Sequence, residues 1–258
     1  MSLPRLSRSI SGSVAIVTGA ASGMGRATAQ LFADEGARLA LLDINAEALE
    51  AVCGELLAAG GEALAIAVDL SERQGVERAV AQVAAHYGAI DILVNNAGLV
   101  IPAEIDADNY ADSWDTSLAV MTTAQAWAIR AALPSLRQAS HPRIVNVAST
   151  EALGATRFAS SYTVAKHASV GLTRAMAVDL GNEAITVNCV CPGPIHTGIN
   201  AAIPADDKAV FARRRTALRR YGDPEEVAHA ILGLVLPAAS YITGATLVVD
   251  GGLSIRNA

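Results

Sequence analysis

The sequence predicts an α/β fold: one parallel sheet of about seven strands with helices on both faces. Three observations predict it. Short apolar runs alternate with longer stretches of helical period along the 258 residues. The apolar runs are continuous and lack the in–out alternation of a half-exposed strand, which marks burial on both faces. Hydrophobic residues make up 52% of the chain and charged residues 17%, enough for one large core.

Taken in order, strands are expected at 14–18, 38–43, 63–68, 90–95, 143–148, 186–190 and 246–249. Helices are expected between them, near 24–36, 46–59, 72–87, 111–138, 161–181 and 224–236. The last helix has the plainest start. Asp223 serves as N-cap, Pro224 opens the first turn, and Glu225 and Glu226 follow at the positive end. This alternation gives a doubly wound, Rossmann-type fold, taken as a single domain over 1–258. The segment at about 195–221 has proline, charge and weak periodicity. It reads as an insertion over the carboxyl edge of the sheet, a substrate lid.

Composition excludes some function classes. A net charge of −6 and a pI of about 5.4 argue against nucleic acid as a partner. The basic cluster Arg213, Arg214, Arg215, Arg219 and Arg220, with Ala217 and Leu218 among it, reads as the wet face of a helix. Cys53, Cys189 and Cys191 have neither metal-ligand nor disulfide spacing. They read as small buried hydrophobes in a reducing cytosol, with Cys189 and Cys191 expected on opposite faces of a strand. No apolar stretch follows the N-terminal arginines, and no run reaches membrane-spanning length. A cytoplasmic location with no signal peptide, membrane contact or metal is therefore expected.

The turn after the first strand, Thr18-Gly-Ala-Ala-Ser-Gly-Met-Gly25, opens a helix. Its glycines permit a tight turn and close approach to a pyrophosphate, and the helix N-terminus offers unpaired N–H groups. Its spacing differs from the usual Gly-x-Gly-x-x-Gly, and ordinary strand-to-helix turns are also glycine-rich. Asp43 ends the second strand, eighteen residues after Gly25. A carboxylate there accepts from both ribose hydroxyls and repels a 2′-phosphate. Ala21, Ser22, Ile44 and Asn45 offer no cation to offset that repulsion, so NAD(H) is expected over NADP(H). Arg26 and Arg38 are the residues able to reverse this preference. Asp43 as a helix N-cap is the alternative, and the two roles are compatible. Asp69 ends the third strand and is placed to bond the adenine amine, with Ser71 capping the next helix. Asn95 and Asn96 end the fourth strand, Asn95 as a tie between strands.

Tyr162 and Lys166 stand four residues apart, on one face of a helix, and Ser149 precedes the tyrosine by thirteen. A phenol with a pKa near 10 is a poor proton carrier at neutral pH. A neighbouring cation stabilises the phenolate. Tyr162 is thereby a candidate to exchange a proton with an alcohol or ketone oxygen that Ser149 holds by a hydrogen bond. The same spacing also arises where two amphipathic residues coat a surface.

Together these motifs resemble the short-chain dehydrogenase/reductase family, in its shorter form, over about residues 12–253. The match rests on Thr-Gly-x-x-x-Gly-x-Gly at 18–25, Asn-Asn-Ala-Gly at 95–98, Ser149, Tyr162-x-x-x-Lys166 and Pro192-Gly-Pro194. Asp69 and Val249-Asp-Gly-Gly252 agree with it. The resemblance implies Tyr162 as general acid/base and Ser149 as the group polarising the substrate oxygen. Lys166 would bond the nicotinamide ribose and lower the tyrosine's pKa. It places cofactor contacts at Gly19, Ser22, Gly23, Met24, Gly25, Asp43, Ile44, Asp69 and Leu70. Further contacts are implied at Asn96, Ala97, Gly98, Tyr162, Lys166, Pro192, Gly193, Ile195 and Thr197. One position departs: where the family commonly has asparagine after Trp-x-x-x-x-x-Val, Met121 follows Val120. Methionine lacks the hydrogen bonds that help hold a water linking the lysine to solvent. Thr122, Thr123 and Ser117 are the alternative polar groups nearby.

The expected substrate pocket draws on 99–101, 151–153, Arg157, 192–193 and 195–215. It is mostly apolar, which suits a hydrophobic or alicyclic secondary alcohol or ketone. Leu153 belongs to that lining. Glu151 is either a polar anchor for substrate or a solvated loop carboxylate, and Arg157 is a possible ion-pair partner for it. The leading expectation is an NAD(H)-dependent alcohol dehydrogenase or ketone reductase. The alternatives are a 3-oxoacyl thioester reductase, and a cofactor-binding protein with weak or no catalysis. A homotetramer or dimer is implied by the resemblance, with helices near 111–138 and 161–181 in one contact and the C-terminal strand in another.

Overall fold

Strands buried on both faces carry no polar stripe, and the sheet shows this directly. Every residue is buried in β1 (Val14–Thr18), β4 (Ile92–Asn95), β5 (Arg143–Val147) and β6 (Thr186–Pro192). With β2 (Arg38–Asp43), β3 (Glu62–Ala67) and β7 (Thr246–Val249) they form one sheet. The computed structural model describes residues 6–256. The ends of the expected 1–258 domain, and Arg5 of the N-terminal arginines, lie outside the described residues. Strand order is β3-β2-β1-β4-β5-β6-β7, and all pairs are parallel.

Helices cover both faces. On one lie α1 (Gly23–Asp34), α2 (Ala46–Ala58) and α8 (Pro224–Val235); α1 and α2 bury Phe32 and Val52 toward β1 and β2, and α8 buries Ile231 toward β5 and β6. On the other lie α3 (Arg73–Tyr87), α5 (Ala124–Leu136) and α6 (Ser160–Leu180), which bury Val80, Ile129 and Leu180. Asp223 takes the expected N-cap position of α8 and forms a capping box with Glu226. Arg143, only 2% exposed, donates to the carbonyls of Pro142, Leu236 and Pro237. A buried guanidinium at the C-terminal end of α8 meets both the orphan carbonyls and the negative dipole end. Asn95 donates to Asn146 at 2.9 Å and Asn146 to Thr173 at 2.9 Å, so a polar thread ties β4, β5 and α6.

Several expectations need correction. The helix expected at 111–138 is interrupted: α4 (Tyr110–Leu118) and α5 are joined by a π-helical turn, Ala119–Thr123. The apolar pattern runs straight through it, so the sequence gives no sign of the extra residue. The 195–221 segment contains a helix, α7 (Ala205–Arg215). Its periodicity is weak because only Ala212 in it is buried. The three arginines occupy its last turn, where cations suit the helix dipole. Cys189 and Cys191 share one face of β6, since residues two apart on a strand point the same way. Asn45, not Asp43, caps α2, and Ser71 bonds Asp69 while Glu72 takes the N-cap position of α3.

Candidate active site

The chain leaves β1 toward one edge of the sheet and, after β3, crosses back to β4. That reversal opens a crevice at the carboxyl ends of the strands. A cavity of about 310 Å³ lies there. Gly19 and Gly25 make the glycine turn possible. Gly19 has a φ of +66°, which side chains rarely adopt, and a Cβ on Gly25 would lie 2.1 Å from the Gly19 carbonyl oxygen. Ser22 precedes α1 without a side-chain cap bond, so the first-turn N–H groups are left for another acceptor. Gly19, Ser22, Gly23 and Met24 line the cavity. Gly25 does not; its part is packing.

Asp43 and Ile44 line the cavity at the tip of β2. Asp43 accepts from the backbone N–H of Ala21 at 3.1 Å and of Asn45 at 3.0 Å, which fixes its carboxylate at the rim. Both arginines able to favour a 2′-phosphate are engaged elsewhere. Arg26 pairs with Glu55 at 2.7 Å; Arg38 donates to the Gly12 carbonyl at 3.1 Å and lies over the Tyr87 ring. Asp69 and Leu70 follow along the wall, then Asn96, Ala97 and Gly98. Asn96 donates to the Thr18 carbonyl at 2.9 Å, while its buried Oδ1 has no protein partner. The crevice thus offers free donors at the glycine turn and an acceptor at Asp43, groups that could hold a dinucleotide.

At the far end stand Tyr162 and Lys166, both lining the cavity from α6. Lys166 is 3% exposed, donates to the Val147 carbonyl at 2.9 Å and sits 5.5 Å from the centre of the Tyr162 ring. Burial lowers its pKa to about 8. The Tyr162 phenol is pushed up, first by burial, with the nearby Glu151 charge and Cys191 adding; a hydrogen bond from Ser149 pulls it down. The phenol is therefore raised, not depressed as expected: removal from water outweighs the hydrogen bond from Ser149. Ser149 accepts from the Glu151 N–H at 3.1 Å, which leaves its own hydroxyl hydrogen for Tyr162.

A family model described as enoyl-(acyl carrier protein) reductase matches residues 19–254. The chain is 38% identical to meso-2,3-butanediol dehydrogenase of Serratia marcescens, over 93% of each chain. It is equally identical to a (2S)-[(R)-hydroxy(phenyl)methyl]succinyl-CoA dehydrogenase subunit of Thauera aromatica, over 94% of this chain and 96% of that one. A solved short-chain type dehydrogenase/reductase of Mycobacterium marinum superposes with a TM-score of 0.90 at 32% identity, covering 96% of this chain and 98% of that one. The chain belongs to the short-chain dehydrogenase/reductase family.

For this short-chain dehydrogenase/reductase, the remaining expected contacts divide. Thr197 lines the cavity with Gly198 and Ile199, all within the expected 195–215 stretch, and so do Val120 and Val147, which no sequence signal had placed there. Val120 arrives there on the π turn, which no sequence signal marks. Pro192, Gly193 and Ile195 stand outside the lining. A Cβ on Gly193 would lie 2.7 Å from Asp250, and the Ile195 carbonyl accepts from Asn200 at 2.6 Å. Met121 is fully buried, and its carbonyl accepts from Ser169 at 2.9 Å. Thr122 donates to the Ala165 carbonyl and Ser117 to Ser161, so neither bonds Lys166. Leu153 is exposed and, contrary to expectation, is not part of the cavity lining. Arg157 lies over the Phe158 ring at 4.2 Å and does not pair with Glu151, whose oxygens are taken by Thr156 and Thr163.

Among the described residues, no group of three or more His, Cys, Asp or Glu side chains could hold a metal, and no helix is long and apolar enough to cross a membrane.

Proposed function

We propose that the protein interconverts a hydrophobic or alicyclic secondary alcohol and its ketone, with NAD(H) as the redox partner. The observation that carries this is the convergence of Ser149, Tyr162 and Lys166 at one end of a crevice whose other end holds Asp43. The nicotinamide, when bound, accepts or supplies the hydride. Tyr162 takes the alcohol proton, or returns it to the ketone oxygen, and Ser149 holds that oxygen in reach. Lys166 has the donors to hold the ribose. Gly19, Ser22, Gly23 and Met24 would bind the phosphates, Asp69 and Leu70 the adenine, and Asn96, Ala97 and Gly98 the ring side.

The preference for NAD(H) rests on Asp43 and on the engagement of Arg26 and Arg38. Two solved relatives at 34% and 36% identity are complexes with NADPH and with NADP, so the family includes proteins that take NADP(H), and the preference here rests on this chain's own rim residues. The apolar character of Leu99, Val120 and Ile199 in the lining supports an uncharged carbinol region. Relatives that oxidise butanediol, threitol and cis-4-hydroxycyclohexanecarboxylate agree with a secondary alcohol. A thioester substrate is the second reading, favoured by the CoA-linked relative and by a 3-oxoacyl-[acyl-carrier-protein] reductase of Thermotoga maritima at 34% identity. The 195–221 segment, with Thr197, Gly198 and Ile199 on the cavity, is the proposed lid. Exposed Leu247 and Val248 on edge strand β7 and Val178 on α6 support assembly as a homotetramer or dimer in the cytoplasm.

A panel of secondary alcohols, ketones and 3-oxoacyl thioesters, assayed with each cofactor by its absorbance, tests the proposal. The expected result is alcohol oxidation with kcat/KM favouring NAD over NADP by about 10-fold or more, since charge repulsion at the ribose costs at least about 1.4 kcal/mol. Turnover of thioesters alone, with NADP preferred, would replace it with the second reading.

A further inference from the structure

We infer that Glu151 is a positioning residue: its carboxylate clasps the loop between Ser149 and Tyr162 and so sets the distance between those two hydroxyls. The inference rests on the oxidoreductase reading for its kinetic consequences, though not for its geometry.

Ser149 follows β5 by two residues and Tyr162 lies in the first turn of α6, so twelve residues, most of them loop, separate them. Such a loop, largely exposed, would ordinarily be mobile. Here it is pinned at several places. The Glu151 carboxylate accepts from the Thr156 N–H at 2.8 Å, the Thr156 hydroxyl at 2.6 Å and the Thr163 hydroxyl at 2.9 Å. Thr163 is the residue after Tyr162. The same Glu151 donates its backbone N–H to Ser149 Oγ at 3.1 Å. One residue therefore touches Ser149 by its backbone and the helix of Tyr162 by its side chain. The loop's middle is fixed as well: the Phe158 carbonyl accepts from the Ala103 N–H at 2.9 Å. Phe158 has a φ of 65°, a left-handed conformation that costs energy for a phenylalanine and persists only where surroundings impose it.

Three charge-assisted bonds on one carboxylate make a stiff fastening. Their chemical consequence is twofold. Ser149 accepts from the Glu151 N–H and keeps its own hydrogen to donate to Tyr162. The carboxylate's charge also lies close enough to oppose ionisation of the phenol. The groups facing Tyr162 are Ser149 and Glu151 from the loop, Lys166 from its own helix and the Cys191 thiol from β6, with Cys189 and Arg174 beyond Cys191. Glu151 is the one carboxylate among them, so its removal moves the phenol's titration downward.

Glu151→Ala, Glu151→Gln and Thr163→Val, with Tyr162→Phe as the reference, test the inference. Two readouts are used: kcat across pH with NAD and an alcohol found in the panel, and tyrosinate absorbance of the free protein. The Tyr162→Phe difference spectrum isolates Tyr162 among five tyrosines. E151A is expected to lose about 10- to 100-fold in kcat, the scale of a misplacement near 1 Å, with little change in KM for NAD. E151Q, which keeps an oxygen acceptor in place, is expected to recover part of that loss, and both variants shift the Tyr162 titration to lower pH. T163V is expected to lose rate with no downward shift, because the charge remains. Should E151A not fold, T163V and E151Q carry the comparison. Wild-type kcat in E151A, E151Q and T163V, or an unmoved Tyr162 titration in E151Q, overturns the inference. The spectroscopic arm uses no substrate, so an enzyme inactive on every alcohol would refute the functional reading while still deciding this one.

Discussion

Burial works in opposite senses on the two ionisable groups that matter most. It raises the Tyr162 phenol and lowers the Lys166 ammonium to about 8, because the charged form of each is the one that loses water. For Lys166 the cost appears as stability. Its folded pKa lies below the unfolded value of 10.5, so below about pH 8 both states are protonated and the folded state bears the whole penalty. Between about 8 and 10.5 the unfolded chain holds the extra proton, and stability rises with pH until the penalty is gone. Lys166→Met is therefore expected to unfold at higher urea than wild type at pH 7, by up to about 3 kcal/mol, with the gap closing near pH 10.5. A variant less stable than wild type at pH 7 would show that the bond to Val147 outweighs the burial. At this scale the sequence was legible in part. The four-residue spacing puts Tyr162 and Lys166 on one face, and the end of β2 puts Asp43 at the rim. Depth is not written in spacing, so the direction of the Tyr162 shift was missed. So was the fastening of Glu151, whose partners lie five and twelve residues away.

At the scale of elements, the π turn at Ala119–Thr123 is the feature that departs most from expectation. An added residue in a helix rotates every later side chain about the axis, and such turns are frequent at functional sites. Here it brings Val120 to the cavity and turns Met121 inward, so that the space beside Gly98 is shared by the Met121 sulfur and the Lys166 ammonium. A thioether offers that ammonium only a weak acceptor. Met121→Asn, placing an amide there, is expected to raise kcat and change its solvent isotope effect by about twofold or more if proton exchange with solvent limits turnover. Identical rates and isotope effects in the two proteins would remove the position from proton transfer. The strands, by contrast, were readable to within about two residues, because burial on both faces of the central ones leaves a continuous apolar run. α7 was not, because an exposed helix has no buried stripe to give it a period.

Over the whole molecule, the strand order explains why the candidate groups meet. Gly19, Asp43, Asn96 and Tyr162 are far apart in the chain, yet each ends or follows a strand whose carboxyl end lies at the same edge of the sheet. The reversal between β1 and β4 opens that edge into one crevice, and the chain's apolar composition covers the rest. Sequence order alone yields the alternation of elements and thus the fold; it does not show which wall residues, such as Val120 or Val147, complete the cavity. The central claim is that Tyr162 carries the proton when this crevice oxidises an alcohol. Its most direct test is the rate of NADH formation from a secondary alcohol accepted in the panel, in wild type and Tyr162→Phe, from pH 6 to 10. The account predicts a wild-type kcat/KM that rises above neutral pH, and a loss of about 10²- to 10⁴-fold in the variant at every pH. A Tyr162→Phe enzyme with the wild-type rate and pH profile would contradict it.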